Sequence, residues 1–86
     1  MDPNTIYLVK TALYVLSQCD RHGVDERALL EQTRITAQQT ITSTEQHIIM
    51  NLIREKGWAN SYRDTMMGGS IRYILSDRGR MTLESL

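Results

Sequence analysis

Residues 42–75 read TSTEQHIIMNLIREKGWANSYRDTMMGGSIRYIL, and the spacing of their apolar residues changes once, at Gly57. Before it the pattern is helical. Thr42 and Glu45 stand in the S/T-x-x-E relation of a capping box, where hydroxyl and carboxylate each satisfy a backbone N–H left over at a helix start. Ile48, Ile49, Leu52 and Ile53 follow on one side of a helix that Gly57 ends. At about 100° per residue, the opposite side holds Ser43, His47, Met50, Asn51 and Arg54. After Gly57 the period is two. Residues 58–64 and 70–75 read as strands, with Ile71, Tyr73 and Leu75 alternating onto one face of the second. Gly68-Gly69, beside Met66 and Met67, marks the hairpin loop between them.

Outward from this stretch, the N-terminal side supplies two further helices. The first runs from near Asn4 to about Asp20; Pro3 is harmless in a first turn, where its missing N–H has no partner to lose. Ile6, Val9, Leu13 and Leu16 set its core stripe, and Leu8, Ala12, Val15 and Cys19 widen it. Tyr7, Lys10, Thr11, Tyr14 and Gln18 form a second stripe facing away. Gly23 stops this helix, with Arg21 and His22 near its negative end. Asp25 caps a second helix reaching about Thr33, with Val24 stapled to Leu29 and with Ala28, Leu29 and Leu30 buried. Residues 34–41 read as a connector anchored by Ile35 and Ile41, with Thr36, Gln38, Gln39 and Thr40 exposed. On the C-terminal side Ser76 caps a short helix, Asp77 to about Ser85, that offers Met81, Leu83 and Leu86 for packing.

Composition bounds the rest. Eighty-six residues build one domain, 1–86, around one core. With 41% hydrophobic residues, one proline and five glycines, the chain is globular rather than disordered. No apolar run approaches the roughly 18 residues of a membrane span. Asp2, with no basic stretch before the first apolar residues, argues against a secretory signal. A single cysteine excludes an internal disulfide framework and suits a reducing compartment, so the expected setting is the cytoplasm. Ten basic residues balance ten acidic ones. Residues 58–80 hold four arginines and two aspartates, a surplus of two, whereas residues 1–41 carry a deficit of one.

The order of elements is three helices, a two-stranded hairpin and a last short helix, an α+β arrangement that resembles the winged-helix domain. Two segments carry the resemblance. TSTEQHIIMNLIREKGW resembles the third helix of bacterial winged-helix domains, and RYILSDRGRMTLESL their second wing strand running into a Ser/Thr-x-x-Gly-Arg helix start. The resemblance implies a bacterial or phage DNA-binding protein, a transcriptional regulator or accessory factor. Its third helix would enter the major groove of double-stranded DNA, and its hairpin would touch backbone or minor groove. Ser43, Gln46, His47, Asn51 and Arg54 have base-reading chemistry, since Asn and Gln pair with adenine and Arg with guanine. Arg63 and Arg72 on the wing, with Arg78 and Arg80 beside it, would hold phosphates. About eight residues separate the second and third helices, against three or four in a tight helix-turn-helix.

The same family also includes protein-interaction modules, and the outward stripe of the first helix fits that use. Tyr7, Lys10, Tyr14 and Gln18 would form a homodimer interface, because tyrosines bury large area at low entropic cost. Met66 and Met67 at the hairpin tip offer a second adaptable contact. Cys19 and His22 have metal-ligand spacing but lack a second pair to complete a tetrahedral set. Neither a phosphate-binding loop nor a nucleophile motif is present. The reading is therefore a DNA-binding protein, with an interaction module that binds no DNA as the alternative, and without catalytic site, metal or cofactor.

Overall fold

The computed structural model describes residues 2–85, apart from the side chain of Met67, as four helices and a three-stranded antiparallel sheet. In chain order these are α1 (Pro3–Ser17), β1 (Val24–Asp25), α2 (Glu26–Ala37), α3 (Ser43–Glu55), β2 (Ala59–Asp64), a 3-10 turn (Thr65–Met67), β3 (Ser70–Leu75) and α4 (Asp77–Ser85). The sheet order is β1-β3-β2, with β3 in the centre. The two-stranded hairpin read from the sequence is thus part of a three-stranded sheet. Val24 pairs with Tyr73 and Asp25 with Arg72. A two-residue strand has no period, so only this pairing reveals it.

Four side chains start the four helices. Asp2 accepts the Thr5 N–H at 2.9 Å, and Asp25 accepts that of Ala28 at 2.8 Å. Both arms of the Thr42–Glu45 capping box form. The Ser76 hydroxyl accepts the Gly79 N–H at 2.9 Å and donates to the Gly57 carbonyl at 2.6 Å, which ties the start of α4 to the end of α3.

Helix ends differ more from the sequence reading. The first helix stops at Ser17, because Asp20 opens a turn: its carboxylate accepts the His22 N–H, and the Gly23 N–H bonds back to its carbonyl. Gly23 therefore closes this turn and does not cap α1. The second helix continues to Ala37, and only residues 38–42 connect it to α3. Its cap is Gln38, held in the left-handed region at φ 58°, a place where sequence normally signals glycine. Continuing the helix aligns Leu29, Thr33 and Ala37 as its buried stripe at four-residue intervals and turns Ile35 outward, 51% exposed. Ile41 is buried, as its role of anchor requires.

The core is built on α1, which touches α2, α3, α4 and β3. Leu8, Val9, Ala12, Leu13, Val15 and Leu16 are buried; Ile6 is exposed and leaves the expected stripe, while Thr11 is buried. Thr11 meets this cost by donating its hydroxyl to the Tyr7 carbonyl. The inward side of α3 is Ile49, Met50 and Ile53. Met50, placed outward by the sequence projection, is 2% exposed, while Ile48 is 40% exposed and Leu52 half-buried. Apolar residues at 48, 49, 50, 52 and 53 leave the helix two inward faces of similar hydrophobicity, and packing selects the second. Tyr73 and Leu75 bring β3 onto the core, whereas Ile71 lies beyond it and is exposed. On α4, Leu83 packs against the core and Met81 faces solvent. Leu86 lies outside the described residues.

Candidate interaction surfaces

Two surfaces collect the functional candidates. The first is the outer side of α3 with the arginines around it. Ser43, His47, Asn51 and Arg54 are exposed along this side, and Gln46 is half-buried with its amide donating to the Ile41 carbonyl. Ser43, Gln46, His47 and Arg54 line a shallow hollow between α2 and α3 whose other walls are Glu26, Leu30 and Met50. Arg54 is ion-paired there, its guanidinium 2.9 Å from the Glu26 carboxylate. Both partners are about half exposed, so the pair contributes little stability, but it places an acid beside the base-reading candidate.

The two hairpin arginines do not share a face. Arg63 is opposite Ile71 in the β2–β3 register, and Arg72 is opposite Tyr62. Alternation puts Arg63 on the side of Ile71 and Tyr73, and Arg72 on the reverse. Each guanidinium also has internal work. Arg63 donates to the Gly69 carbonyl at 2.8 Å and braces the hairpin loop. Arg72 donates to the carbonyls of His22 and Gly23 at 2.9 and 2.8 Å. Arg78 reaches the Lys56 carbonyl at 3.4 Å, and Arg80 is exposed. Met66 at the hairpin tip is exposed; the side chain of Met67 lies outside the described residues.

The second surface is the outer side of α1. Tyr7 and Tyr14 are 46% and 49% exposed, with Lys10 and Gln18 exposed beside them. Tyr7, Lys10 and Tyr14 border a groove whose further walls are Thr11, Thr36 of α2 and Leu83 of α4. The sequence pattern missed Thr36 and Leu83 as members, because three separate helices contribute to the groove. The Tyr7 hydroxyl points to the Ala37 carbonyl at 3.5 Å, at the outer limit of a hydrogen bond. Lys10 is the single charged residue between Pro3 and Ser17. By contrast α2 carries Glu26, Arg27, Glu31 and Arg34, all exposed.

Cys19 is half-buried, its thiol donating to the Val15 carbonyl; burial, and secondarily Asp20, push its pKa up. Such a thiol is a poor nucleophile and a poor metal ligand. Among the described residues no group of three or more His, Cys, Asp or Glu could hold a metal ion, and no helix is long and apolar enough to cross a membrane. No protein-family model, curated protein or solved structure matches the chain.

Proposed function

We propose that this chain is a winged-helix interaction module, which binds another protein chain through the outer face of α1 and performs no chemistry of its own. The winged-helix reading rests on the order α1, α2, α3, the β2–β3 hairpin and α4, with β1 added to the hairpin as a third strand. One observation carries the functional reading: α1 presents two half-exposed tyrosines beside a groove, on a fifteen-residue helix with one charged side chain. Interface centres are depleted in charge and enriched in tyrosine, whereas a face selected only for solubility carries charges.

Duplex DNA is the second reading, and the exposed Ser43, His47 and Asn51 along α3 favour it. Electrostatics favour it less. Phosphate neutralisation supplies most non-specific affinity, and here the net charge is zero, Arg54 is paired with Glu26, and Arg63 and Arg72 lie on opposite faces.

Fluorescence anisotropy on labelled random duplex, at several salt concentrations, separates the two. The interaction reading expects binding weaker than the roughly 10⁻⁴–10⁻⁶ M of ordinary non-specific contacts, even at low salt. Tight, salt-dependent binding that Arg54→Ala weakens by about 1–3 kcal/mol would overturn it and install DNA as the ligand.

A further inference from the structure

Independently of the α1 reading, we infer that β2 is a docking edge for an extended segment of a partner protein. That segment adds antiparallel as a fourth strand and carries an acidic side chain opposite Arg63. β2 is an outer strand: it pairs with β3, and among the described residues no strand adjoins its other side. The Ser76 N–H bonds to the Trp58 carbonyl, and the register continues from there without a bulge. Alternation along an antiparallel ladder then commits the backbone groups of Asn60 and Tyr62 to β3 and turns the N–H and C=O of Ala59, Ser61 and Arg63 outward. Residues 60–63 are exposed, and among the described residues no hydrogen bond reaches these outward groups. Donors and acceptors repeating every two residues, about 6.8 Å apart, match one kind of ligand, another extended backbone.

The opposite edge of the sheet is blunted and this one is not. Exposed edges are protected by very short strands, proline, lysine, bulges or covering elements. At the far edge β1 has two residues, and Arg72 fastens the loop before it through the carbonyls of His22 and Gly23. β2 has six residues, no proline and no lysine. Its two charged residues stand at the hairpin end. The Asp64 carboxylate accepts the Met66 N–H, and Arg63 donates to the Gly69 carbonyl, which uses one N–H of a guanidinium that carries five.

Charge selects the occupant. Ala59, Ser61 and Arg63 share the face of Ile71 and Tyr73, and Arg63 is the one charged residue of β2 on that face. Opposite charges directly across a ladder stabilise it and like charges destabilise it, so the incoming strand sets aspartate or glutamate against Arg63. The residue next to that acid falls against Tyr62 on the reverse face, where a β-branched side chain pairs well with the ring. A second copy of this chain cannot supply the acid through the same edge. Outward groups must meet outward groups, so a copy's β2 sets Ala59, Ser61 or Arg63 against Arg63, and never Asp64. The partner is therefore a different chain with an extended segment of alternating acidic and apolar character.

The probe is a short labelled peptide of alternating threonine and valine in which one glutamate replaces a threonine. Titrated into isotope-labelled protein, it should protect the amides of Ala59, Ser61 and Arg63 from hydrogen exchange; those of Asn60 and Tyr62 should be protected before it is added. N-methylation of the peptide at glutamate and threonine, whose N–H groups face β2, should abolish binding, and N-methylation at valine should spare it. Lysine in place of glutamate should weaken binding about tenfold, and Arg63→Glu should reverse that preference. Ser61→Pro removes an outward N–H and no bond to β3, and should abolish binding at unchanged circular dichroism. If either variant folds poorly, the methylated peptides put the same question to the wild type. No binding at about 1 mM peptide, equal binding of both methylated forms, or indifference to the peptide's charge overturns the proposal. Protection of the same amides in the protein alone, growing with its concentration, assigns the edge to a second copy and also overturns it.

Discussion

Tyr62 and Arg72 stand opposite one another across β2 and β3, and both donate to one acceptor, the carbonyl oxygen of His22, at 2.6 and 2.9 Å. A second bond from Arg72, to the Gly23 carbonyl, completes the clamp. The loop between α1 and β1 is thereby fastened to the sheet, and β1 is delivered to the edge of β3. Gly23 makes the approach possible: it has φ +71°, and a Cβ there would stand 2.2 Å from the Tyr73 carbonyl oxygen.

Arg72 therefore supports the fold wherever else its charge acts. Arg72→Ala should cost about 1–3 kcal/mol, and Tyr62→Phe about 0.5–1.5 kcal/mol. Because the two donors share an acceptor, their losses should fail to add in a double-mutant cycle read by urea denaturation. Strict additivity would show that the loop is held by other contacts.

Met50 tests which face of α3 is inward. Met50→Ala should lower stability by about 2–5 kcal/mol, and Leu52→Ala, at a half-buried position, by less. Urea midpoints in the opposite order would return α3 to the orientation that sequence periodicity alone suggests.

Gly79 tests the docking of α4. Alanine is the better helix former by about 1 kcal/mol, so an undocked helix would gain from Gly79→Ala. A Cβ at this position would meet the Trp58 carbonyl oxygen at 1.9 Å, and that atom belongs to backbone. Steric conflict should win, with a net loss of about 1–3 kcal/mol and a lower Tm. A higher Tm would mean that α4 does not lie against Trp58.

Asp2 gives the stability a pH dependence on the acid side. The Thr5 backbone N–H, and then the Thr5 hydroxyl, hold its carboxyl below the ordinary aspartate value. A lowered native pKa stabilises the fold above the unfolded value of about 4, and that contribution disappears as pH falls through the native one. The Tm advantage of wild type over Asp2→Asn should be full at pH 6 and shrink as the pH is lowered toward 2. An equal difference at both pH values would remove the charged cap as its source.

The sequence by itself determined where the helices begin and where the hairpin lies. Asp25, Thr42 with Glu45, and Ser76 act on N–H groups three residues away, and Gly68-Gly69 acts on a loop of its own neighbours; such interactions are complete within a few residues. It also determined that Tyr7 and Tyr14 share an exposed side of α1, because they stand seven residues apart, whereas the burial of Thr11 between them and the exposure of Ile6 were decided by packing. Tertiary structure decided what local spacing leaves degenerate or silent. It chose Met50 over Ile48 as the inward residue of α3, since two overlapping apolar faces differ only in how they fit α1 and the sheet. It carried α2 past Thr33, because burial of Thr33 and Ala37 against the core outweighs the lack of a glycine cap. It paired Val24 and Asp25 with β3, split Arg63 from Arg72 across the sheet, and brought Thr36 and Leu83 to the tyrosine groove. Each of these depends on residues far apart in the chain, whose contact free energy appears only when the whole core closes.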